Sequence, residues 1–167
     1  MIAGLTIHTH GPACHDITGQ VADWLGRGGA ADGVVTLMVR HTSCSLLIQE
    51  NADPDVQADL LGWLDRIAPP ADDPAMAWLR HRDEGPDDMP AHLKAAVLPV
   101  SLHVPVASGR MMLGTWQGHF PGGTSPRPPG PAGGPGLSAR LTNGRTAGRA
   151  DILCRHDYPT QDVPGFL

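Results

Sequence analysis

A chain of 167 residues, 41% of them apolar, suffices for one domain with a real core and is too short for two. Its formal charge of −5 excludes the basic face that a nucleic acid or an anionic membrane surface needs in a partner. No window approaches the roughly 18 apolar residues of a membrane helix, and Met1-Ile2-Ala3-Gly4-Leu5 lacks the basic-then-apolar pattern of a secretory signal. Cys14, Cys44 and Cys154 are odd in number and far apart, which reads as reduced thiols in a cytoplasm.

In chain order, Leu5 to Thr9 alternates apolar and polar, as a half-buried strand does. Ile17, Val21, Trp24 and Leu25 share one face of a short helix that Gly28-Gly29 stops. Val34 to Val39 is an apolar, β-rich run, and Leu46-Leu47-Ile48 reads as a returning strand. Asp53 caps a helix with Pro54 in its first position, and Val56, Leu60, Leu64 and Ile67 carry the stripe toward Pro69-Pro70. After a polar loop over 71–89, a short helix runs from Pro90 through Val97. Leu102 to Val106 and Met111 to Trp116 are the last strands, joined by a turn at Ser108-Gly109. Strands and helices mixed with short connections define the α+β class.

Beyond residue 120 the texture changes. Residues 121–167 include 8 prolines and 9 glycines, and no alternating strand-length run precedes Asp151 to Cys154. Such a segment buries too little apolar surface to offset its ordering entropy, so an irregular or disordered tail is expected.

Three polar segments are candidates for chemistry. His41-Thr42-Ser43-Cys44-Ser45 lies where one strand ends and the next begins, either as a ligand-facing edge or as a hydroxyl-capped turn. Glu50 and Asn51 are placed to line the same edge. The twelve residues from His81 to His92 hold two imidazoles and four carboxylates. That mixture suits a divalent metal, zinc or a harder ion such as magnesium, or general acid–base work. A solvated acidic loop, with Asp87 and Asp88 preceding a helix N-terminus, is the alternative. Trp116 reads as a stacking platform or as core. Arg110 reads as a phosphate fork or an ordinary surface cation, and Gly114 within a strand as a close approach or a bulge.

Taken in order, these segments resemble the YjbQ-like family, also called the secondary thiamine-phosphate synthase family. His41-Thr42-Ser43-x-Ser45, Glu50-Asn51-x-Asp53-Pro54, Glu84-Gly85-x-Asp87-Asp88-Met89-Pro90-x-His92-x-Lys94, and Gly109-Arg110 with Gly114-Thr115-Trp116-Gln117-Gly118 are similar to its four motifs, in register. The resemblance implies a two-layer β core with short helices in residues 1–120, a homotrimer, and a site near subunit boundaries. It also implies a phosphorylated small-molecule substrate and a weak, secondary ability to make thiamine phosphate. That reaction joins a pyrimidine diphosphate to a thiazole phosphate and expels pyrophosphate. On this footing His41, Glu84, Trp116 and Gln117 are assigned to catalysis. Thr42, Ser43, Asn51, Lys94 and Arg110 are assigned to substrate, and His81, Asp88 and His92 to a metal ion. A non-catalytic trimeric binding protein and a metal-dependent hydrolase are the competing functions.

After Trp116-Gln117-Gly118 the family continues with an apolar pair, then Glu-His-Arg, a basic linker and a final apolar strand. This chain reads Phe120-Pro121-Gly122-Gly123-Thr124-Ser125-Pro126. Codons such as TTC-CCT-GGT-GGA-ACA-TCG-C would encode that stretch, and deleting one C from them gives TTC-CTG-GTG-GAA-CAT-CGC, Phe-Leu-Val-Glu-His-Arg. A one-base insertion near codon 121 would account for a Pro/Gly-rich tail in residues 121–167, and the loss of the final strand is then expected.

Overall fold

The computed structural model describes residues 2–8, 12–123, 136–142 and 154–155. Two β-sheets face one another across the core, with helices at the periphery. The larger sheet is built from β1 (Ile2–His8), β3 (Gly33–Met38), β5 (Ser101–Ala107), β6 (Arg110–Met111), β8 (Gly136–Thr142) and β9 (Cys154–Arg155). The smaller runs β2 (Ala13–Cys14), β7 (Gln117–Gly123), β4 (Cys44–Glu50). Every pairing recorded between these strands is antiparallel. The α+β class and its two-layer β core are therefore as the sequence indicates.

Alternation explains the core. Val35 and Leu37 of β3, Val104 and Val106 of β5 and Ile7 of β1 point inward from the larger sheet; Cys44 and Leu46 of β4 meet them from the smaller. Helix α1 (Thr18–Arg27) adds Val21, Trp24 and Leu25 from one stripe, and Ile17, predicted as its first apolar residue, is its buried N-cap. Gly29, at φ 59°, takes the left-handed conformation that ends the helix. The Val39 amide extends the β3–β5 ladder by donating to the Val100 carbonyl, and the Leu46 amide of β4 reaches the adjoining Pro99 carbonyl, each at 2.8 Å.

Helix α2 (Pro54–Ile67) begins as expected: the Asp53 carboxylate accepts the Asp55 amide at 2.9 Å, with proline in the first turn. Of its predicted stripe only Leu64 is buried within this chain, and Ile67 is 47% exposed. The turn at Ser108-Gly109 is also as expected: both residues have positive φ, and they close a two-residue hairpin between β5 and β6.

Three expectations need correction. The strand from Met111 to Trp116 is interrupted: β6 ends at Met111, and a turn over 114–117 separates it from β7. The cause is local, since the Gln117 side chain accepts the Gly114 amide at 2.8 Å and closes the turn. Helix α3 (Asp88–Val97) starts two residues before Pro90, which places the proline in the first turn where its missing N–H costs nothing. In the tail, β8 pairs with β1 along seven residues. Leu137-Ser138-Ala139-Arg140-Leu141-Thr142 does alternate, and the surrounding glycine and proline hide it. The predicted strand at 151–154 falls mostly outside the described residues. No helix among them is long and apolar enough to cross a membrane.

Candidate functional site

The 71–92 segment is held against α3 by a small apolar cluster, Ala71, Met76 and Leu79 with Met89 and Leu93. Arg82, which the sequence did not single out, pins it from the other side. Its guanidinium donates to the carbonyls of Leu79 (3.0 Å), Ala71 (2.7 Å) and Met76 (2.9 Å). The planar fork matches three carbonyls at the ends of a 3₁₀ turn, Pro74–Met76, and lysine has no comparable reach. Arg82→Lys is expected to lower unfolding free energy by about 1–3 kcal/mol, because buried acceptors lose charged donors. Urea denaturation measures this, and an unchanged midpoint would show that the fork is dispensable.

This scaffold sets His81 beside Asp88 and His92. His81 Nε2 lies 3.0 Å from Asp88 Oδ2 and donates to it. His92 follows Asp88 by one helical turn, and its Nε2 is 3.5 Å from the same oxygen. The His92 Nδ1 donates to the Thr42 carbonyl at 3.0 Å, so in the neutral ring Nε2 keeps its lone pair and faces Asp88. One ligand atom from each of the three residues lies within 4.8 Å of the other two. The imidazoles meet edge to face, with centroids 6.3 Å apart. A borderline-soft divalent ion suits two imidazoles and a carboxylate, and the Thr42 carbonyl supplies the outer-shell partner that orients a ligating histidine.

The contact with Thr42 joins this group to the connection between β3 and β4. There His41 Nδ1 accepts the Ser43 amide and lies 3.0 Å from the Ser43 hydroxyl, so neutral His41 carries its proton on Nε2. His41, Thr42, Ser43, His81, Asp88 and His92 thus form one continuous patch. Glu84, in the loop before α3, is exposed.

The other predicted residues lie elsewhere. Lys94 is buried, and its ammonium is held by Asp65 of α2 at 2.5 Å. Six positions beyond Asp88, it leaves α3 on a different face. Asn51 follows the far end of β4, on the order of 20 Å of strand from His41; its amide donates to the Trp116 carbonyl at 2.9 Å. Gln117 pairs with Glu50 at that same end. Trp116, 64% exposed, is not core. Arg110 is exposed on β6, beside Ala107.

Asp87 is the N-cap of α3, yet its side chain makes no capping hydrogen bond. Burial raises its carboxyl pKa above the ordinary value, with Asp72 and Asp65 adding to the rise and Lys94 opposing it. A carboxyl whose pKa is raised on folding stabilises the fold below its unfolded pKa, and this contribution is lost as pH rises through the folded value. Asp87→Asn is therefore expected to flatten the decline in melting temperature on the alkaline side of about pH 4. Parallel melting curves of both proteins from pH 3 upward check this; parallel slopes would contradict it.

An α+β domain with an imidazole–carboxylate group at its strand edge is the class of protein these features define. Residues 3–121 match the family described as UPF0047 protein YjbQ-like, and the chain belongs to that family. It is 44% identical over 116 residues to a UPF0047 protein of Synechocystis sp., covering 70% of this chain and 76% of that one. It is 44% identical over 105 residues to the UPF0047 protein YjbQ of Salmonella typhimurium, covering 62% and 72%. Among solved structures, a YjbQ/UPF0047 family protein from Clostridium acetobutylicum aligns with TM-score 0.67 and 27% identity, over 89% of this chain and 98% of that one. A conserved hypothetical protein from Thermus thermophilus aligns with TM-score 0.61 and 36% identity, over 75% and 92%.

Proposed function

We propose that this chain is a metal-assisted enzyme acting on a phosphorylated small molecule, with His81, Asp88 and His92 as the metal ligands. The observation that carries the reading is the His92 ring: its Nδ1 donates to the Thr42 carbonyl, so in the neutral ring Nε2 turns a lone pair toward the Asp88 carboxylate. A cation between them resolves that mismatch. Two imidazoles favour zinc over magnesium. Such an ion, when bound, neutralises phosphate charge as a Lewis acid. His41, in the same patch, would sit beside the bound phosphate as a hydrogen-bond donor.

Thiamine-phosphate formation is the side activity this reading carries, and a homotrimer is its assembly. Trp116, Gln117 and Asn51 lie at the opposite end of β4 from the imidazoles, so they reach a shared substrate only across a subunit boundary. Exposed apolar residues support such a boundary: Val34 and Met38 on β3, Trp63 and Ile67 on α2. Metal analysis of purified protein, with a thiamine-phosphate assay of wild type and His92→Ala, tests the reading. Bound zinc and activity lost in the variant are expected. Equal activity in both, or no activity in the presence of metal, would favour a binding protein.

We also propose that a one-base insertion near codon 121 rewrote the tail. Two observations support it: the family match ends at residue 121, and β7 carries Pro121-Gly122-Gly123 in the middle of its sheet. Pro121 lies opposite Leu46, where it has no N–H for the ladder, and prolines and glycines are poor central-strand residues. A frame-corrected chain reading Leu-Val-Glu after Phe120 should melt higher and express better. Identical behaviour, or a transcript that confirms the present frame, would end this proposal.

A further inference from the structure

The groove beside the imidazoles has a flat wall that neither the motifs nor the metal reading uses. It encloses about 350 Å³ and is lined by Trp78, Leu79, Arg80, His81 and Met89. Leu79 and Met89 belong to the apolar cluster beneath it, so its floor is apolar. Trp78 is 64% exposed although it adjoins that cluster's buried Leu79, so its indole is left for something other than this chain's core. Arg80 brings a guanidinium to the same groove. His81 lines the groove and also contacts Asp88, so a molecule in the groove reaches the imidazole–carboxylate group directly.

We infer that this groove binds a flat aromatic phosphate, the ring against Trp78 and the phosphate between Arg80 and the His81–Asp88–His92 group. An exposed indole offers the ring a π face and a low-entropy contact surface. A guanidinium offers the phosphate a bidentate fork, and the apolar floor excludes an extended polar chain. The inference rests on the metal reading only for what meets the far side of the phosphate. It assigns the ring contact to Trp78, within one subunit.

Calorimetric titration with phenyl phosphate and methyl phosphate, with and without zinc, separates the two ends of the ligand. In wild type, phenyl phosphate is expected to bind at least about tenfold more tightly than methyl phosphate. Trp78→Leu should erase that preference, and Arg80→Gln should weaken both ligands alike. Failure of zinc to bind would overturn the metal reading, while a ring preference lost in Trp78→Leu without zinc would still uphold this one. Equal affinities in wild type, or a preference that survives Trp78→Leu, would overturn it. So would a change in oligomer size in Trp78→Leu with the preference retained, which assigns the indole to a subunit contact.

Discussion

Asp88→Asn is expected to reduce zinc affinity by more than the roughly 10–100-fold that loss of an outer-shell partner costs, while leaving the metal-free fold nearly as stable. One oxygen of Asp88 faces both imidazoles, at 3.0 and 3.5 Å. The amide keeps the shape and removes the charge that a divalent ion meets. Asp88 also lies in the first turn of α3, where a carboxylate is worth about 0.3–1 kcal/mol against the helix dipole. The metal-free melting temperature should therefore drop only slightly. Zinc titration by calorimetry and melting in chelator read the two effects separately. A large loss of metal-free stability with zinc affinity intact would make Asp88 a structural cap and nothing more.

The second large effect belongs to the core. Leu37 is fully buried on β3, which has β5 on one side, with Leu37 opposite Leu102. Leu37→Ala is expected to cost about 2–5 kcal/mol, from lost transfer energy plus the cavity left behind. Against a typical domain stability of about 5–15 kcal/mol this is a large fraction. Leu37→Met keeps the volume and should cost less than about 1.5 kcal/mol. Urea unfolding of the pair decides it, since similar midpoints for both variants would show that the two sheets do not close tightly over this position.

What the sequence disclosed follows from which signals are local. Asp53-Pro54 announced its helix because a cap and a first-turn proline are read within one turn. Val34 to Val39 announced their strand because an apolar, β-rich run is read within a few residues. The imidazole–carboxylate loop stood out by composition. Its geometry did not: with the helix read from Pro90, Asp88 looked like loop, and the one-turn spacing of Asp88 and His92 became visible only when α3 was found to start at Asp88. Contacts made by backbone carbonyls left no trace in the sequence, which is why Arg82 and the His92–Thr42 bond were missed. Lys94 had a phosphate-binding look because its partner Asp65 is 29 residues away. Trp78 carried no motif, and its neighbourhood with His81 comes from the 3₁₀ turn that Arg82 fastens.

The proposed chemistry requires a metal held by His81, Asp88 and His92. A crystal of the zinc-soaked, full-length chain, with anomalous scattering recorded on both sides of the zinc absorption edge, tests this most directly. One strong peak per chain is expected, about 2.0–2.2 Å from His81, His92 and Asp88 ligand atoms, with His92 still bonded to the Thr42 carbonyl. No peak there, or a peak bound only by other residues, would contradict it.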